Sequence, residues 1–308
     1  MGNERNKKKF FFVCFCFCHG NVYIEKKKGE KFFLFCEDYI SYTNIKERYR
    51  MSDFASTIFI PARDNLRIKQ DDREEVIRLC RDITSYSKKG IFSLHRTILE
   101  DELIKELAGY FNVLSDRLAK IQKNYPENMH LRGTISGAVE ELIEFFTFAF
   151  YKYNFQLLRY DVFLKMIQIL INGDDVEPIV QYLIKSELLP EAIEPHIDFI
   201  DLADYLMGIF DCTGEIMRMC ILQLSQSTGD FELKATLNNY RFLQKLYDQY
   251  VLLTQHYLGI SINRGVFDDS ANLRGNILFT KKLQVFESSL KKIESTLLDI
   301  LVSDKEII

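Results

Sequence analysis

Apolar residues recur at helical spacing along almost the whole chain beyond residue 70. The first run, Asp71–Arg96, places Val76, Ile77, Leu79, Cys80, Ile83, Tyr86, Ile91, Phe92 and Leu94 on a period near 3.6, and Gly90 weakens it without ending it. The second, Glu102–Lys123, carries Leu103, Leu107, Phe111, Leu114, Leu118 and Ile121 and stops at Asn124-Tyr125-Pro126. The third, Leu131–Tyr153, is apolar on most faces from Leu142 to Phe150, which predicts a central helix. Arg159–Ile171 follows and ends on Asn172-Gly173, a C-cap pair. Val176–Leu189 is bounded by Pro178 and Pro190. Asp201–Leu224, Phe231–Tyr257 and Phe279–Val302 complete the set, and the polar, Gly-containing stretch Ser261–Gly275 reads as a loop. No segment alternates convincingly as a strand does. The predicted fold is an all-α bundle of seven or eight helices.

Residues 65–303 form the predicted helical domain, after a linker at 51–64 and before a tail at 304–308. Residues 1–50 differ from the rest. Lys7-Lys8-Lys9 precede the apolar run Phe10–Cys18, and Lys26-Lys27-Lys28 follow. The order resembles a secretory signal, but the run is aromatic and His19-Gly20-Asn21 is a poor cleavage site. It is also too short to span a membrane as a helix. Cys14, Cys16 and Cys18 offer thiolates to a soft metal; the plainer reading is an apolar extension, and Met51-Ser52-Asp53 looks like a more natural start.

Composition supports a packed domain: hydrophobic residues are 47% and charged residues 27%, enough for a core and unlike a disordered chain. Only 14 Gly and 5 Pro argue against a many-stranded sandwich or barrel. A net charge of −4 argues against coating nucleic acid through bulk positive charge, while leaving room for a local basic patch or a basic partner. The odd count of 7 Cys at this length disfavours a disulfide scaffold, and Cys80, Cys212 and Cys220 read as buried thiols inside helices.

Two acidic groups interrupt greasy helical segments. Glu140, Glu141 and Glu144 lie in the third helix, and Asp211 and Glu215 lie four apart in the sixth. Spacings of three and four put carboxylates on one helix face, where like charges repel. Apolar flanks such as Phe145, Phe146 and Met217 add a desolvation cost of several kcal/mol per ion. A cation between the two helices removes both penalties. Mg²⁺ takes oxygen ligands and keeps waters for substrate phosphate, and acidic pairs on facing helices are how bundles build metal sites. Such pairs also occur on ordinary solvated faces, so spacing alone does not decide. The five histidines are scattered without zinc spacing, and His95 reads as a packing or surface residue. No phosphate-binding glycine loop or nucleophile elbow is present. Arg78, Arg81, Lys88, Lys89 and Arg96 form either a solvated face or a phosphate-contacting stripe.

Several of these segments resemble the translin family, in its translin-associated factor X branch. The resemblance rests on Arg81-Asp82-Ile83-Thr84 with Ile91-Phe92-Ser93-Leu94-His95-Arg96, and most specifically on Asp211-Cys212-Thr213-Gly214-Glu215-Ile216-Met217-Arg218-Met219-Cys220. Phe242–Asp248 and the Lys281–Glu294 helix add to it. The resemblance implies a translin-like bundle that pairs with translin in a hollow hetero-octamer, the component 3 promoter of the RNA-induced silencing complex. It implies a Mg²⁺-dependent endoribonuclease acting on small interfering RNA passenger strands and precursor-tRNA fragments. It also implies a single-stranded nucleic-acid surface shared with the partner, no membrane association, and a cytoplasmic and nuclear location. The family's carboxylates fall on Glu141, Glu144 and Asp211 as catalytic and metal-binding residues, with Glu215 as a further metal ligand. An alignment anchored on Gly137 would put Glu140 in place of Glu141. The alternative is a non-catalytic translin-binding scaffold, with apolar faces such as Leu243, Leu246, Tyr250, Leu252 and Leu253 as protomer interfaces.

Overall fold

The structure, a computed structural model, describes residues 55–96, 99–190, 194–226, 229–256 and 271–306. The extension 1–50, the first part of the expected loop (261–270) and residues 307–308 lie outside them. The chain divides into two compact units, Met1–Ile60 and Pro61–Ile308. The described end of the first is a π-helical run, Ala55–Phe59. Among the described residues eight α-helices follow: α1 (Ile60–His95), α2 (Glu100–Asn124), α3 (Arg132–Asn154), α4 (Tyr160–Asn172), α5 (Glu177–Lys185), α6 (Leu202–Gln226), α7 (Asp230–His256) and α8 (Ala271–Glu306). Among the described residues there is no strand, and no helix is long and apolar enough to cross a membrane.

Helix α3 is central, as its all-round apolarity predicts. It packs against α6, which in turn meets α7 and α8, and against α5, which meets α2 beside α4. Phe145, Phe146 and Phe148 on α3 are fully buried. Phe146 meets Phe111 of α2 at 5.0 Å and Phe163 of α4 edge-on at 5.6 Å between ring centroids. Each such ring stabilises the fold by roughly 1.5–3 kcal/mol relative to exposure. Across α6, Phe210 stacks on Tyr250 at 3.8 Å and meets Phe279 of α8 edge-on at 5.0 Å. Cys80, Cys212 and Cys220 are buried free thiols.

Two glycines let helices approach closely. A Cβ on Gly90 would sit 2.3 Å from the Phe145 ring, and one on Gly208 would sit 2.6 Å from the Ile143 side chain and 2.8 Å from the Glu140 carbonyl oxygen. Without a side chain at these points, α1 and α6 can lie flush on α3. The start of α6 is fixed by a reciprocal cap. The Asp204 amide donates to Asp201 Oδ1 at 2.9 Å, and the Asp201 amide donates to Asp204 Oδ2 at 3.1 Å. Ser136 of α3 donates to Asp204 Oδ1 at 2.5 Å and Arg132 donates to Asp201 at 2.8 Å, tying the two helix starts together.

Several boundaries differ from the sequence reading. The stretch 51–64, expected as a linker, is helical from Ala55. Its residues to about 75 are almost all exposed, so no apolar period marks them. Local pairs such as Gln70–Glu74 at 2.7 Å support the helix instead, and Pro61 falls at the junction between the π-helical run and α1. Helix α5 stops at Lys185 rather than near Leu189, because Ser186 adopts a left-handed conformation, φ 57°. Gly173, φ 72°, closes α4 as expected. Helix α8 absorbs residues 271–275 of the expected loop and 304–306 of the expected tail.

Candidate functional site

Helices α3 and α6 cross where Gly208 permits it, and the acids lie within two turns of that point on each. Glu141, Glu144, Asp211 and Glu215 all line one cleft of about 590 Å³. Its other walls are Lys88, Ile91 and Phe92 from α1, Phe210, Thr213, Gly214 and Arg218 from α6, and Val285 and Ser289 from α8. Glu140 is not among the lining residues; it turns towards Lys282 of α8.

Three of the four acids are held by cations. Lys88 Nζ lies 2.9 Å from Glu141 Oε1. Lys282 Nζ donates to Asp211 Oδ2 at 2.7 Å, to Glu140 Oε2 at 3.2 Å and to the Met207 carbonyl at 3.1 Å. His95 Nε2 lies 2.6 Å from Glu215 Oε2, and the Arg218 guanidinium lies 3.6 Å from the same oxygen. The His95 ring is buried and stacks on Phe148 at 4.8 Å, so the packing expected of it comes with a second role. Lys88 and Arg96 of the basic stripe on α1 are likewise engaged, Arg96 with Glu106.

Glu144 is the exception. It is 8% exposed, and no hydrogen bond or ion pair joins its carboxyl to another described residue. Burial first, then the charges of Asp211, Glu141 and Glu215, push its pKa from 4.5 up to about 8. Burial also raises Asp211, against the pull of Lys282. In Glu215, burial is outweighed by the His95 hydrogen bond and charge together with Arg218, and its pKa falls. The Glu141 hydrogen bond and charge raise Lys88. The cleft therefore holds one carboxyl that keeps its proton at neutral pH beside acids already matched to positive groups.

The donor chemistry suits a hard divalent cation: four carboxylates from two helices, one of them without a partner. The ligand set is not preassembled, however. Among the described residues no group of three or more His, Cys, Asp or Glu side chains is disposed to hold a metal ion. Lys88, Lys282 and His95 stand at the positions a cation would compete for. The sequence reading named the acids, with Lys88 as part of a basic stripe and His95 as a packing or surface residue, but paired neither with them and did not single out Lys282, because a lysine 71 residues from Asp211 carries no local signal. The face Leu243–Leu253, expected as an interface, is partly core: Leu243 and Tyr250 are buried, while Leu252 is exposed.

The chain matches the Translin family over residues 71–304. It is 27% identical to Translin-associated protein X of Pongo abelii over 253 residues, covering 79% of this chain and 77% of that protein. It is 27% identical over 201 residues to the Translin-associated protein X homolog of Schizosaccharomyces pombe, covering 61% of this chain and 70% of that one. Its fold resembles the crystal structure of apo-NeC3PO, with TM-score 0.51 and 14% identity, over 79% of this chain and 97% of the other. A family match that takes in α2 to α7 whole, and with them every acid of the cleft, makes this chain a member of the Translin family.

Proposed function

We propose that the chain is the acidic subunit of a translin-containing endoribonuclease, hydrolysing RNA phosphodiesters with Mg²⁺. Its partner would be a translin chain, and its substrates single-stranded RNA such as small interfering RNA passenger strands and precursor-tRNA fragments, in cytoplasm and nucleus. The single observation that carries the reading is the convergence of Glu141, Glu144, Asp211 and Glu215 on one cleft in a Translin-family fold. The names of the relatives support the partner. The net charge of −4 suits a subunit that shares phosphate binding with another chain.

Glu141, Glu144 and Asp211 would hold Mg²⁺, with Glu215 as a further ligand. Bound there, Mg²⁺ supplies Lewis acidity toward a phosphodiester and charge for the departing oxygen. Glu144 keeps a proton up to about pH 8 in the metal-free cleft, so loading a divalent ion is coupled to release of that proton. Lys282 orients Asp211, and His95 orients Glu215 through its Nε2. Phe210, Ile91 and Val285 limit water around the acids.

One observation favours the second reading, a scaffold that binds translin without catalysis: Lys88, Lys282 and the His95–Arg218 pair already engage three of the acids. Cleavage assays separate the two. Turnover lost in chelator and restored by Mg²⁺ supports the enzyme; an RNA-binding complex inactive with every divalent ion supports the scaffold.

A further inference from the structure

On the described residues, two large exposed apolar side chains line the acidic cleft: Phe92 of α1, 59% exposed, and Val285 of α8, 64% exposed. Neither is core. On α1 the buried face runs through Ile83, Ser87, Ile91 and Leu94, and Phe92 points off that stripe. Its neighbours one turn away on the same side are Lys88 and Arg96, and the Arg96 guanidinium lies 5.5 Å from the Phe92 ring centre. Across the cleft floor sit the carboxylates, and Arg218 of α6 lies on the same lining.

A flat ring open to solvent, bracketed by two cations and adjoining acids that would act on a phosphodiester, has the parts of a single-strand subsite. Aromatic faces stack unpaired bases irrespective of sequence, while nearby cations hold the backbone. A base inside a duplex is stacked on both faces and has none to offer such a ring. A protein partner would bury the ring equally well, but Lys88 and Arg96 on its two sides, each paired with one glutamate, are 62% and 39% exposed and keep further N–H donors for phosphate.

We infer that Phe92 is a nucleobase platform: the ring stacks one unpaired base of a single-stranded RNA and so sets the adjoining phosphate at the acids of the cleft. This rests on the nuclease reading for its purpose but not for its test. Phe92 acts through substrate placement and selects single strands over duplex.

The test uses the full chain with its native partner in EDTA, which removes divalent ions, and a short single-stranded RNA carrying 2-aminopurine whose length is checked on a gel after binding. Wild-type protein quenches the probe on binding. Phe92→Leu is expected to weaken single-strand binding about tenfold and to lose the quench, while Phe92→Trp keeps both. Binding of a blunt duplex of the same sequence is unchanged by Phe92→Leu, and Phe231→Leu, an exposed residue on α7, alters nothing. Unchanged single-strand affinity and quench in Phe92→Leu would overturn the inference. So would loss of partner assembly in Phe92→Leu, which would make the ring a protein contact. If the platform passes and no divalent ion supports cleavage, the nuclease reading fails while the subsite stands.

Discussion

Replacing Glu144 by Gln should stabilise the metal-free protein in alkaline solution and hardly affect it in mild acid. The Glu144 carboxyl has a pKa of about 8 in the folded chain against 4.5 in the unfolded one. Below pH 4.5 both states are protonated and the group contributes no pH dependence. Between pH 4.5 and about 8 the unfolded chain gives up the proton and the folded chain does not. Stability therefore falls as pH rises, by about 1.4 kcal/mol per pH unit and about 5 kcal/mol across the window at most. Gln has nearly the same shape and cannot ionise, so Glu144→Gln removes that slope. Denaturant unfolding of both proteins in EDTA at pH 5, 6.5 and 8 measures it, because titrating groups away from the cleft cancel in the difference. The expected result is agreement within about 1 kcal/mol at pH 5 and a variant more stable by several kcal/mol at pH 8. Adding Mg²⁺ at pH 8 should raise the wild type more than the variant. A difference between the two proteins that does not change with pH would refute the account of the cleft's electrostatics.

Three further outcomes follow from the same geometry. Gly208→Ala should destabilise by about 1–3 kcal/mol in thermal unfolding, since the new methyl meets the Ile143 side chain and the Glu140 carbonyl. Lys282→Met should cost about 1–3 kcal/mol, with the Asp211 pKa rising further by carboxyl NMR, because Asp211 and Glu140 lose their shared cation. His95→Ala should raise the Glu215 pKa; since the native value is depressed, its stabilisation exists above the unfolded pKa and is lost as pH falls, and the variant should show a shallower loss between pH 5 and 3.

The sequence shows most of this fold because most of its helices carry an apolar face at helical spacing. Asn172-Gly173 ends α4 where its spacing predicts, and the Leu142–Phe150 run marks α3 as central. Residues 60–70 could not be read as helix, since an exposed polar helix leaves no apolar period and its support comes from local side-chain pairs such as Gln70–Glu74. The acids of the cleft were readable in pairs, because helical spacing fixes which residues share a face on one element. Their joining across α3 and α6 depends on Gly208, whose meaning appears only when the Ile143 side chain and Glu140 carbonyl lie against it. The counter-charges were hidden for the same reason. Lys88, His95 and Lys282 reach the acids from α1 and α8, and nothing near them in the chain announces a long-range partner.

The central claim is that these carboxylates form one divalent-ion-dependent hydrolytic centre. Gel-resolved cleavage of a single-stranded RNA by the complex with its translin partner, in Mg²⁺ and in EDTA, for wild type and Glu144→Gln, tests it most directly. The account predicts wild-type cleavage in Mg²⁺ alone and a loss of about a hundredfold or more in Glu144→Gln, with assembly and RNA binding intact. Wild-type cleavage rates in Glu144→Gln, or undiminished cleavage in EDTA, would contradict it.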